Sequence, residues 1–175
     1  PRLERLNLDS NQLETAGFDA LTASGRCGKL RVLNASWNQL GSASVVNLAT
    51  CRGFPRLERL DLSGNQLGTT PFDFLLASPN LPRLTDLGFA NNAIGPSPLV
   101  FSGSPSGPRL TRLRLNDNQL AAVSIVSLVR VPNLSGLEWL DLSRNQIGDG
   151  GAQALANATG LGSLTRLNLA HNQIG

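Results

Sequence analysis

Apolar and polar residues follow one another along this chain in a single motif that keeps returning. In "LEWLDLSRNQIG", residues 137–148, leucine fills the first, fourth and sixth places, asparagine the ninth and isoleucine the eleventh. The first leucine of each copy is Leu3, Leu30, Leu57, Leu84, Leu110, Leu137 and Leu164, so copies begin 27 residues apart with one interval of 26. A fixed period in this range means a stack of like units, each too small to bury its own apolar face and so dependent on its neighbours. In "LERLDLS", Leu60 and Leu62 point one way while Arg59, Asp61 and Ser63 point the other. That period of two predicts a half-buried strand, and strands that each return after a crossover must run parallel.

Each motif is followed by small and apolar residues, as in "SASVVNLAT" and "GGAQALANAT", which suit a short helix opening near Gly, Ser or Asp. In "TTPFDFLLAS", Pro71 falls in a first helical turn, where its missing N–H is tolerated. The fourth copy departs from this: "GPSPLVFSGSPSGP", residues 95–108, is rich in Pro, Gly and Ser, and its helix is expected to be short or absent. Strands lie about 4.8 Å apart and packed helices about 8–10 Å apart. The stack should therefore bend with its sheet on the concave side, and bend less at the fourth copy. Asn11, Asn38, Asn65, Asn92, Asn118, Asn145 and Asn172 fill one column. An asparagine side chain donates and accepts at once. The column is therefore expected to satisfy the backbone where the chain turns inward, as a structural ladder with no ligand.

The pattern L-x-x-L-x-L-x-x-N-x-L/I, present in seven copies, resembles the leucine-rich repeat family. "LDLSRNQIGDGGAQALANATGLGSLTRLNL" is most similar to the ribonuclease-inhibitor-type subclass, though the period here is a residue or two shorter. The resemblance implies an α/β solenoid, a curved right-handed horseshoe with a parallel sheet of seven short strands on the concave side. Short helices or irregular segments cover the convex side. Residues 1–175 are then a single repeat domain, expected to be truncated at both ends because neither carries the polar cap that a stack needs. The resemblance also implies a non-catalytic scaffold that binds another protein through its concave face. The alternative is a regulatory segment, inhibitor, GTPase-activating or sensor, of a larger enzyme or receptor.

Composition removes several other functions. The chain has one histidine and no tyrosine. A catalytic triad or a histidine-bearing metal site would have to be built on His171, which holds an outward position on the last strand. "SGRCGKL" fails as a phosphate loop: Ala23 stands where the motif needs glycine, Leu30 where it needs Ser or Thr, and the loop leads into a strand. The carboxylate pairs Glu58/Asp61 and Glu138/Asp141 lie on open strands beside arginines, which suits solvated ion pairs better than a desolvated acid. No enzyme, metal site or cofactor is expected, and no run of eighteen apolar residues suggests a membrane span. Cys27 and Cys51 occupy different places in their copies, so no bridge is expected, and so few cysteines favour a reducing, cytoplasmic compartment. Asn-x-Ser/Thr occurs at Asn34, Asn133 and Asn157, about as often as chance provides.

Function is therefore sought in the outward-pointing residues, where the copies differ. The concave rows hold seven positive and eight negative charges, a balance that argues against a nucleic-acid groove. Both tryptophans fall here, and Trp and Arg are enriched among interface hot spots. The candidate partner-binding set is Trp37, Arg59, Asp86, Arg112, Arg114, Trp139, Asp141 and Arg144, centred on the fifth and sixth strands. Arg112 and Arg114 with Asp86, and Arg144 with Asp117 and Asp141, are expected to frame Trp139. A second feature is a basic rim of Arg2, Lys29, Arg56, Arg83 and Arg109, four of them in "PRL". It supports a third function, binding an acidic surface or polyanion.

Overall fold

The computed structural model describes residues 2–100, 104 and 106–175. The motif forms seven short strands: β1 (Arg5–Asn7), β2 (Val32–Asn34), β3 (Arg59–Asp61), β4 (Asp86–Gly88), β5 (Arg112–Arg114), β6 (Trp139–Asp141) and β7 (Arg166–Asn168). They build one parallel sheet in chain order. Register is set by the repeat: Leu6, Leu33, Leu60, Leu87, Leu113, Leu140 and Leu167 all align. A slip of one residue would turn this leucine row to solvent, so the core itself fixes the alignment.

Helices follow five of the strands: α1 (Thr15–Ala23), α2 (Ser42–Thr50), α3 (Thr69–Ala77), α4 (Ala122–Leu128) and α5 (Gly148–Ala156). Pro71 lies in the first turn of α3 and is buried. Ser124 reaches back to the start of α4, where its Oγ accepts from the Ala121 N–H and donates to the Ser97 carbonyl. Single 3-10 turns at Pro132–Leu134 and Thr159–Leu161 lead into β6 and β7. Between sheet and helices runs one continuous core in which the leucine columns of the inner copies are almost fully buried. At the two ends, Leu3, Leu167 and Ile174 are substantially exposed.

Between β4 and β5 the described residues form no helix, as the Pro/Gly/Ser composition implies. Larger side chains fill the layer instead. Phe89, in a column otherwise made of Leu and Ala35, is fully buried against Phe72 of α3, with ring centroids 5.3 Å apart and planes tilted by 44°. Leu99 is buried beside the same core. Gly107 lies so close to the Leu76 carbonyl that a Cβ there would fall 2.1 Å from the oxygen. Asn133 Nδ2 donates to the carbonyls of Ser104 and Pro108. Buried and so engaged, Asn133 offers no acceptor for a sugar.

The asparagine column behaves as a ladder between copies. Asn118 Nδ2 donates to Phe89 O at 2.8 Å and Leu115 O at 3.1 Å, while its Oδ1 accepts from the N–H groups of Asn92 at 2.9 Å and Ile94 at 3.4 Å. Asn38, Asn65, Asn92, Asn145 and Asn172 repeat this arrangement, each side chain giving to and taking from the copy before it. Asn11 is exposed and bonds only within its own turn, to Leu8 O and Asp9 O.

Cys27 and Cys51 are free thiols. Burial pushes the Cys27 thiol above its ordinary range, which keeps it protonated and a poor nucleophile. Among the described residues no helix is long and apolar enough to cross a membrane.

Candidate partner-binding surface

Parallel pairing sets the outward side chains in straight rows at about 4.8 Å spacing. The row at the first strand position reads Arg5, Val32, Arg59, Asp86, Arg112, Trp139, Arg166. Trp139 is half-buried and stands directly between Arg112 and Arg166, both exposed. With Glu138 and Thr165 these three residues line a shallow cleft of about 320 Å³. Neither Arg112 nor Arg166 has an ion-pair partner among the described residues.

The next outward row has a structural task. Asn7, Asn34, Asp61, Asp141 and Asn168 each accept a hydrogen bond from the backbone N–H two residues on, closing the bend that ends the strand. Asp141 also accepts from the Ser143 hydroxyl at 2.7 Å. Two copies depart from the rule, with Gly88 and Arg114 in this row. Because Gly88 has no side chain, Arg114 reaches across it to Asp61 at 3.0 Å, and comes within 3.6 Å of Asp86. The Arg114 guanidinium carbon also lies 6.0 Å from the Trp139 ring centroid, at the outer limit of cation–π attraction. A Cβ at residue 88 would sit 2.4 Å from Asp61 Oδ1 and 2.7 Å from the Arg114 guanidinium nitrogen. Gly88→Ala is accordingly expected to destabilise the fold by about 1–3 kcal/mol through overpacking. Most of that loss should disappear in an Asp61→Ala background, a coupling that a double-mutant cycle in urea reads directly.

The structure thus brings Asp86, Arg112, Arg114 and Trp139 together, with Arg59 beside Asp86 in the same row. Asp61, absent from the expected set, joins them. Its signal in the sequence is the glycine that interrupts the Asn/Asp column. Arg144 forms no ion pair with Asp117 or Asp141 among the described residues. It holds the left-handed turn position after β6, with φ 55°, and Asp141 gives its Oδ1 to its own turn. Trp37 holds the equivalent position after β2, with φ 50°. Its ring lies on Gly64, where a Cβ would come within 2.6 Å of the indole. Trp37 remains 56% exposed and stands four strands from Trp139, roughly 19 Å at strand spacing. The two tryptophans therefore do not form one contact point. Arg31 and Glu58 pair across β2 and β3 through two parallel bonds of 3.1 Å, outside the candidate set.

Comparison with known families finds leucine-rich repeats at residues 56–76 and 108–174, which span β3 with part of α3 and β5 through β7. This is a leucine-rich repeat solenoid. No curated protein sequence matches the chain. Leucine-rich repeats commonly mediate protein–protein interaction, and in such a solenoid the side chains free to vary are those on the strands' outer face and at the edges.

Proposed function

We infer that this leucine-rich repeat solenoid is a non-catalytic scaffold that grips another protein with the open face of its sheet, centred on Trp139. The observation that carries this reading is the setting of that side chain: a half-buried indole in a cleft, flanked in register by two arginines with no ion-pair partner among the described residues. Exposed arginines beside an anchored tryptophan suit a partner segment that presents an apolar or aromatic group next to carboxylates. In the neighbouring cluster Arg114 is already engaged by Asp61 and Asp86 and serves as a rigid flank. The same reading takes residues 1–175 as one domain of seven ribonuclease-inhibitor-type repeats.

Peptides selected from a display library against the intact chain test it. Binders are expected to carry acidic and aromatic residues and to lose about 2 kcal/mol, roughly thirtyfold in Kd, on Trp139→Ala. They should be indifferent to Phe74→Ala on the exposed side of α3. Binders that respond to Phe74→Ala and ignore Trp139→Ala would overturn the assignment.

A further inference from the structure

All seven strands run parallel, so every link that brings the chain back from the helix layer to a strand lies along the same edge of the solenoid. The residue just before the first leucine is a cation in five successive copies. Lys29, Arg56, Arg83 and Arg109 precede β2, β3, β4 and β5, and Arg2 precedes β1. Arg26, Arg52 and Arg130 lie in the same links. Every cation of the chain that is not on the sheet's open face is therefore on this edge; of the 12 acidic residues, Glu58 and Glu138 end two of these links and Glu4 precedes β1, each where the link meets the open face, and Glu58 is paired with Arg31. All eight cations are exposed, and none has an ion-pair partner among the described residues. The net charge of +3 hides this segregation.

We propose that this edge is a binding site for a linear polyanion, and specifically for a sulfated polysaccharide chain. The five rim positions follow one another at strand spacing, a row of about 19 Å. Seven of the eight cations are arginine, whose planar fork meets tetrahedral oxyanions with two parallel hydrogen bonds. A linear polyanion releases condensed counterions when it is neutralised along such a row, a gain that an acidic peptide with scattered carboxylates lacks. Single-stranded nucleic acid is less well served, because its binders add aromatic side chains on which bases stack. The one aromatic among the described residues of these links, Phe54, is fully buried. Neither helix dipoles nor solvation require a cation at this one position in five successive copies. Arg2, Arg56, Arg83 and Arg109 also stand too far from any helix C-terminus for the dipole to reach them, since its effect fades within a turn.

Retention on immobilised heparin and titration with a heparin oligosaccharide test the proposal. On the single-strand scale of about −0.7 per neutralised charge, five contacts give a slope of log K against log salt near −3.5. Arg56→Gln/Arg83→Gln/Arg109→Gln is expected to reduce that slope by about 2 and the affinity at 50 mM salt at least tenfold. An unchanged melting curve establishes that the triple variant folds. The matched triple on the sheet face, Arg5→Gln/Arg59→Gln/Arg166→Gln, should lower retention far less. Equal loss in both triples would overturn the edge assignment. Tighter binding of polyuridylate, or displacement of heparin by polyglutamate at equal charge, would overturn the polysaccharide. None of these outcomes bears on Trp139, so this proposal and the peptide-binding one stand or fall separately.

Discussion

Replacing Asn118 by alanine is expected to destabilise the protein by about 3–5 kcal/mol, whereas the same change at Asn11 should cost under about 1 kcal/mol. Asn118 is fully buried, and its side chain answers backbone groups in two adjacent copies. Alanine leaves the Asn92 and Ile94 amides and the Phe89 carbonyl without partners in a site that water cannot reach. Each such orphan costs about 1–3 kcal/mol, partly relieved by relaxation of the turn. At roughly 2–4 °C per kcal/mol for a protein of this size, the melting temperature should fall by on the order of 10 °C. Asn11 bonds only its own exposed turn, where water can replace it. Urea midpoints of the two variants provide the comparison. Equal losses would mean that the column is not a ladder between copies.

Phe89→Ala should be comparably severe, for a different reason. The side chain is buried beside Phe72 where the neighbouring copies have a helix and the described residues of this one form none. Truncating a buried phenylalanine costs about 3–5 kcal/mol, and the aromatic pair adds about 0.5–1.5. Phe89→Leu restores the residue most other copies use, yet is still expected to lose about 1–2 kcal/mol, because leucine does not fill the wider gap. In a stacked fold the damage should be local. Hydrogen exchange should therefore accelerate at β4 and β5 well before β1 or β7 responds. Protection lost uniformly over the chain, or Phe89→Leu proving neutral, would refute the filling role.

The fold was legible because its determinants are repeated. Leucines at fixed offsets dictate strand, register and parallel pairing, and a Pro/Gly/Ser run announces the missing helix between β4 and β5. Even the ladder could be anticipated, since a column of asparagines beside a bend has few other uses. The candidate surface was legible only by position. Alternation places Trp139, Arg112 and Arg114 on the open face but says nothing about which charges meet there. The Arg114–Asp61 contact spans two copies and depends on the absence of an atom at Gly88. Arg144, expected with Asp117 and Asp141 to frame Trp139, pairs with neither among the described residues, and Asp141 gives its Oδ1 to the bend. Trp37 was grouped with Trp139 by face, and its turn conformation lays it on Gly64, four strands along the sheet from Trp139. Local backbone demands decided each of these, and a row-by-row projection of side chains does not contain them.

The asparagine ladder also has a direction. Each side chain serves the copy that precedes it and owes nothing to the copy that follows. Peeling β1 away strips Asn38 of contacts that solvent can restore. Peeling β7 away removes Asn172 and leaves the Ile147 amide and the Leu142 carbonyl to be answered by water. Loss of any one asparagine side chain is therefore felt first in the copy on its amino side.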